Sequence, residues 1–323
     1  MDTDTPHIVV LDDDAHAVPA ADYVEILRDG LPDATVEHAR MPAEVRELVP
    51  RAEVVTGKAL DAETVRAAPR LELFACTTAG VNHLPLDAFE DAGVAVTNAS
   101  GVHGPNMAEH VIGWLLMFTR RLDEGLRRQR RREWRRFQSF GELEGRTVTV
   151  VGLGAIGEAI VRRLEPFGVE TVGVRYSPGK GGPTDEVIGY GEAEFADALA
   201  RTDVLVLACP LTGTTEGLVG AEELRTLPPD AVVVNVARGG VLDTDALVDA
   251  LRWNRIHGAA LDVTDPEPLP EDHPLWSMEN VFLTPHAAGH TPKYWERVAG
   301  ILIENLEHVE ADGEHRDLRN QVV

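Results

Sequence analysis

Near the middle of the chain, Arg146 to Gly157 reads RTVTVVGLGAIG, and no other stretch restricts the fold as strongly. Val148 to Val151 is a β-branched run of the kind that fills a buried parallel strand, and it passes directly into Gly152, Gly154 and Gly157. Each glycine of a GxGxxG turn meets a different steric demand. The first permits a tight turn, the second lets backbone approach a pyrophosphate, and the third lets the following helix sit on the strand. Taken alone, the pattern is as often a plain turn. Here a helix over Glu158 to Phe167 follows, and a second strand at Glu170 to Val174 completes a βαβ unit. The stretch therefore reads as a dinucleotide site, with phosphate facing the N-terminal amides of the helix.

Length and composition bound the rest. A chain of 323 residues suits about two domains, and 44% hydrophobic content is ample for two cores. The opening MDTDTPH begins no apolar segment, and the longest apolar run, around Trp114 to Phe118, is too short to cross a bilayer; a cytoplasmic protein without membrane contact is expected. Cys76 and Cys209 each lie in an apolar strand-like run, so both read as buried small hydrophobes, with no disulfide framework. No His/Cys cluster has metal-ligand spacing, and no metal is expected.

The charge balance is unusual, with 54 acidic residues against 30 basic ones and a formal net charge of -24. Nucleic acid and anionic membranes are disfavoured as partners. Lysine occurs only at Lys58, Lys180 and Lys293, so nearly all positive charge is arginine. Self-repulsion on this scale opposes compactness in dilute salt, whereas near 1 M the screening length falls to about 3 Å. A halophilic protein from a salt-rich cytoplasm is expected.

Strands are predicted at His7 to Leu11, Thr35 to His38, Glu53 to Thr56, Leu71 to Cys76 and Val94 to Thr97, with helices such as Ala20 to Arg28 and Asp61 to Ala67 between them. That alternation implies a parallel sheet. The loop Thr77 to His83, TTAGVNH, leaves the carboxyl end of a strand, where open α/β sheets bind ligands, though its glycine also suits an ordinary turn. SGVHGPN then reads as a turn-rich crossover, and the helix starting at Ala108 is apolar on most faces, as for a helix buried between domains or subunits. Residues 120–136 carry nine arginines among Asp123, Glu124 and Glu133, the pattern of a solvated face or a subunit contact. Further strands are predicted at Val204 to Ala208, Ala231 to Val236, Gly258 to Leu261 and Val281 to Thr284, with a helix at Thr244 to Arg252. Ser177 to Gly191, rich in Gly and Pro, reads as a surface loop, and residues 292–311 as an amphipathic helix crossing back to the first domain. The expected domains are 1–99 plus 290–323, for substrate, and 100–289, for the dinucleotide.

The end of the second strand after the glycines ordinarily carries an acid for the ribose 2′-hydroxyl of NAD. This chain has VGVRYSPGK, with Arg175, Tyr176 and Ser177 in that place. A guanidinium with a neighbouring hydroxyl suits a 2′-phosphate, so NADP(H) is expected to be preferred, with NAD(H) also possible.

Three strand-end loops place ionisable residues in order: Arg238 in VNVARGG, Glu267 in LDVTDPEPLP and His286 in TPHAAG. With GLGAIG at 152–157, CPLTGTT at 209–215, NVARGGVLD at 235–243, LDVTDPEP at 261–268 and TPHAAG at 284–289, the chain resembles the D-isomer-specific 2-hydroxyacid dehydrogenase family over essentially its whole length. The resemblance implies an α/β oxidoreductase of two Rossmann-like or flavodoxin-like domains with parallel sheets, an active site in the interdomain cleft, and a homodimer. Its substrate would be a small 2-oxo or 2-hydroxy acid. In reducing the 2-oxo acid, His286 would serve as general acid/base, Glu267 would orient it, and Arg238 would grip the substrate carboxylate and the developing alkoxide. His83, His103, His110 and His290 are the rival histidines.

The same resemblance implies that Ala79, Gly80 and Val81 bind the substrate carboxylate through their amides, although Asn82 and His83 stand where the family usually has an acid. It assigns cofactor contacts to the glycine turn with Ala155 and Ile156, to Cys209, Pro210, Thr212 and Thr215, to Ala237 and Asp262, and to His286 and Gly289. Narrower enzyme readings are a glyoxylate/hydroxypyruvate reductase or a phosphoglycerate dehydrogenase. A reading of another class is a nucleotide-sensing corepressor that turns over no substrate.

Overall fold

The computed structural model describes residues 7–13, 15, 18–136 and 140–323. The backbone divides into two compact units, Met1–His103 with His290–Val323, and Gly104–Gly289.

In the first unit β1 (His7–Leu11), β2 (Thr35–Ala39), β3 (Val54–Gly57), β4 (Leu73–Cys76) and β5 (Ala95–Thr97) form a parallel sheet in the order β2-β1-β3-β4-β5. Successive side chains of a strand point to opposite faces, and both faces here are covered. Ile8, Val10, Val54, Leu73 and Ala75 join a core that includes Tyr23 and Trp295, whose rings stack at 4.8 Å. Val9, Val55, Phe74 and Cys76 join the opposite core, where Phe74 stacks on Phe89 at 5.1 Å. Each fully buried Val, Leu, Ile or Phe side chain contributes about 1.5–3 kcal/mol, which is why Ile8 to Val10 and Leu73 to Cys76 read as unbroken apolar runs. The helix Tyr294–Asp312 lays Val298, Ile301 and Leu302 into the first of these cores and so belongs to this unit.

The second unit holds β6 (Thr147–Val151), β7 (Glu170–Val174), β8 (Glu186–Ile188), β9 (Val204–Leu207), β10 (Val232–Asn235), β11 (Gly258–Leu261) and β12 (Val281–Leu283). All pair in parallel, in the order β12-β11-β10-β9-β6-β7-β8. After β6 the chain winds to one side and from β9 to the other, so the topological switch point lies between β6 and β9.

Several expected bounds move. Ser177 to Gly191 is not simply a loop: Pro178–Lys180 forms a 3₁₀ turn and Glu186–Ile188 an edge strand on β7. Its glycines and proline hide a strand that is pinned from outside, because the Asp185 carboxylate accepts from both the amide (2.8 Å) and the hydroxyl (2.7 Å) of Thr171. The helix after the glycine turn begins at Ala155 and ends at Leu164; Pro166 then forces a 3₁₀ turn over Glu165–Phe167. The crossover helix starts at Gly104 rather than Ala108, since Pro105 fits a first turn. It buries one stripe, Met107, Ala108, Val111, Trp114 and Leu115, within the second unit, while its remaining apolar residues are half-buried. The arginine-rich run folds as the helix Leu122–Arg130 with no buried residue; Arg127 pairs with Asp123 at 2.9 Å and Arg128 with Glu124. Among the described residues, no helix is long and apolar enough to cross a membrane, and no cluster could hold a metal ion.

Candidate active site

The glycine turn sits at the switch point of the second unit. Gly152 has φ +98, and a β-carbon there would stand 2.6 Å from the backbone nitrogen and α-carbon of Cys209, at the end of β9. A β-carbon on Gly157 would lie 2.0 Å from the Gly152 carbonyl oxygen, so only glycine lets the helix settle on the turn. Around Gly154 a β-carbon would meet nothing within 4 Å. The first-turn amides of Ala155 and Ile156 lack intrahelical acceptors by geometry, which fits the pyrophosphate of a dinucleotide.

At the end of β7 the Arg175 guanidinium donates through Nη1 to the Gly181 carbonyl, 2.5 Å away, and Tyr176 and Ser177 are exposed beside it. Arg175, Tyr176 and Ser177, none of them an acid, follow Val174 at this strand end. On the other side of the switch point Cys209 is buried, its thiol pushed up to about 11 by burial, so it presents backbone rather than a reactive sulfur. Thr215 is also buried. Its hydroxyl donates to the Pro210 carbonyl at 2.5 Å and accepts from the Thr212 amide at 2.9 Å, closing the 209–215 loop.

The next three strands end in register, Asn235 beside Leu261 and Leu261 beside Leu283. Asn235 is buried at the end of an apolar strand and braces the following turn. Its side chain donates to the Arg238 carbonyl at 3.1 Å and accepts from the Ala237 amide at 3.0 Å. Arg238 itself is exposed; Nη1 donates to the Ala237 carbonyl at 2.6 Å, and it makes no ion pair among the described residues.

His286 is one of the few non-glycine residues with positive φ, at +53. Holding a histidine there costs about 1–3 kcal/mol. Asp262, 3% exposed, offsets that cost: its carboxylate accepts from the Thr284 hydroxyl at 2.5 Å and from the amides of Ala287 at 2.8 Å and Ala288 at 3.0 Å. Its backbone carbonyl accepts from the His286 amide, also at 2.8 Å. Hydrogen bonds to a charged group each contribute about 1.5–3 kcal/mol, so the turn is firmly over-determined. In this turn His286 Nδ1 lies 2.7 Å from the Glu267 carboxylate, both side chains about half exposed, and Nε2 has no protein partner among the described residues. Glu267 and His286 are thus brought into direct contact, whereas no hydrogen bond links Arg238 to either.

A family profile described as "D-isomer specific 2-hydroxyacid dehydrogenase, NAD binding domain" matches residues 112–288. The chain belongs to this family. Among its relatives a glyoxylate reductase from Thermofilum pendens is 37% identical over 76% of this chain and 74% of its own. A D-3-phosphoglycerate dehydrogenase from Mycobacterium leprae is 34% identical over 94% of this chain, which spans only 56% of that longer protein. Among solved structures, a D-isomer specific 2-hydroxyacid dehydrogenase from Xanthobacter autotrophicus Py2, in complex with NADPH and MES, superposes with TM-score 0.75 at 30% identity, covering 99% of this chain and 98% of that one. As a member of the dehydrogenase family this chain is an enzyme acting on small 2-oxo or 2-hydroxy acids.

In the first unit the turn after β4 is distinctive. The amides of Ala79, Gly80 and Val81 have no acceptor among the described residues, while the turn is held by Thr78, whose hydroxyl donates to the Gly80 carbonyl at 2.8 Å and whose carbonyl accepts from the Ala99 amide at 3.1 Å. Of the rival histidines, His83 is spent on the Lys58 carbonyl at 2.7 Å and His103 stacks on Tyr294 at 5.5 Å. Sequence reasoning missed Asn235 and Thr284. Each is the polar residue that follows or closes an otherwise apolar strand, and that interruption is the signal that could have found them.

Proposed function

We propose that this protein reduces a 2-oxo acid to a D-2-hydroxy acid and prefers NADPH. The observation that carries the reading is the 2.7 Å contact between His286 Nδ1 and the Glu267 carboxylate, in the unit that also holds the glycine turn. When bound, the nicotinamide supplies a hydride to the carbonyl carbon. With Nδ1 committed to Glu267, His286 delivers its proton from Nε2 to the carbonyl oxygen as that oxygen gains charge, and takes it back in the reverse reaction. Arg238, a planar guanidinium with no ion pair among the described residues, grips the substrate carboxylate and polarises the same oxygen. In the first unit the amides of Ala79, Gly80 and Val81, which have no acceptor among the described residues, form a ready receptor for a carboxylate.

Cofactor contacts are assigned to Gly152, Gly154, Ala155, Ile156 and Gly157, to Cys209, Pro210 and Thr215, and to Ala237, Asp262 and Gly289. Of these, Thr215 and Asp262 act by shaping loops, since their side chains are buried and engaged within the protein. Arg175 with Ser177 supports the preference for NADPH, because a guanidinium attracts a 2′-phosphate that an acid would repel. The charge of -24 supports work in concentrated salt within a cytoplasm, and Leu122 and Leu126, exposed on the arginine-rich helix, support a homodimer.

A panel of 2-oxo acids assayed with NADPH and NADH tests the reading, and the glyoxylate reductases among the relatives make glyoxylate the first substrate to try. Oxidation of NADPH by at least one keto acid, abolished in His286→Gln with folding retained, is expected. No oxidation across the panel favours the corepressor reading instead.

A further inference from the structure

One side of the helix Gly104–Arg120 faces the His286 turn. Asn106 donates to the Ala288 carbonyl at 2.8 Å, and one helical turn later His110 Nε2 lies 3.2 Å from the Thr284 hydroxyl. His110 is half-buried and packs edge-on against Trp114, ring centroids 4.2 Å apart. The direction of each hydrogen bond follows from proton count. Asp262 accepts only, so the single Thr284 hydroxyl proton is given to it across 2.5 Å. The Thr284 oxygen can then only accept from His110, which must carry its proton on Nε2. The order is His110 to Thr284 to Asp262, and the same carboxylate holds the Ala287 and Ala288 amides that directly follow His286 in its turn.

We propose that His110 is a positioning residue for this reaction, acting through Thr284 and Asp262 on the left-handed turn that presents the His286 imidazole. The inference rests on the reading of His286 as proton donor. Without the His110 donor, the Thr284 hydroxyl is free to turn away from Asp262, and the turn gains an alternative arrangement. Transfer from a misplaced ring is slow, whereas ground-state contacts of substrate and cofactor made elsewhere are untouched.

The test compares His110→Phe, His110→Gln, Thr284→Val, Thr284→Ser and the double variant His110→Phe/Thr284→Val, each checked by thermal unfolding and NADPH titration. For His110→Phe, kcat falls about tenfold or more while KM for keto acid and NADPH stays within about twofold. His110→Gln, whose amide N–H has similar reach, and Thr284→Ser, which keeps the hydroxyl, recover most of the rate. The double variant is no slower than Thr284→Val alone, because one chain of bonds can be cut only once. Parental kcat in His110→Phe, additive losses, or a Gln variant no better than Phe would each overturn the proposal. Should His110→Phe fail to fold, the comparison of Thr284→Ser with Thr284→Val decides, equal rates overturning it. His286→Gln in the same assay separates the two ideas: turnover retained there removes the proton-donor reading, while its loss beside a parental His110→Phe removes only this one.

Discussion

A β-carbon on Gly239 would stand 2.1 Å from the carbonyl oxygen of Thr264. The turn carrying Arg238 and the loop leading to Glu267 are therefore packed backbone against backbone, and their spacing depends on a missing side chain. Gly239→Ala is expected to push the loops apart, lowering stability by about 1–3 kcal/mol and kcat/KM by about a hundredfold. Chemical denaturation beside steady-state kinetics checks this, and an alanine variant with parental kinetics contradicts it.

Arg175 occupies the strand end where an NAD-binding fold carries an acid. Arg175→Asp places a carboxylate against the 2′-phosphate and is expected to raise KM for NADPH by about tenfold to a hundredfold while leaving NADH unchanged or improved. The ratio of the two KM values is the measurement, and an unaltered ratio excludes Arg175 as the determinant.

With a net charge of -24, folding gathers like charges that salt screens. Raising KCl from about 0.1 M to about 1 M shortens the screening length from about 10 Å to about 3 Å and should raise the unfolding midpoint by several degrees. A midpoint independent of KCl, read by differential scanning fluorimetry, counts against adaptation to salt.

Burial lowers the His110 imidazole below its ordinary value of 6.5, outweighing the upward pull of the Asp262 carboxylate. The folded state therefore binds this proton less readily than the unfolded chain. The stability so gained is present in full above the unfolded value and is lost as pH falls through the folded one. His110→Gln, which has no such proton, should lose less of its unfolding midpoint than the parent between about pH 7 and about pH 5. Parallel slopes would show that the group does not titrate in this way.

The strands were legible because their burial is two-sided. In a sheet covered on both faces, every position of Val204 to Leu207 is buried and apolar, and in Val148 to Val151 the one polar residue, Thr149, is buried with its hydroxyl bonded to that of Thr202. The glycine turn was legible for a steric reason, since Gly152 and Gly157 admit no β-carbon. Glu267 and His286 were legible as residue types in strand-end loops. Their meeting at 2.7 Å depends on the register of β11 and β12, which motif spacing does not carry. The edge strand Glu186–Ile188 was hidden because its partner supplies the reason for it: Asp185 bonds Thr171, fourteen positions earlier. Likewise His110 on its helix and Thr284 after β12 are 174 positions apart, and only the folded backbone sets one beside the other.

The first unit is discontinuous in the chain, its core closed by Trp295 stacking on Tyr23. During translation, residues 104–289 are all available before that indole emerges. The dinucleotide-binding half can thus complete itself on the ribosome while the half that begins the polypeptide still waits for its keystone.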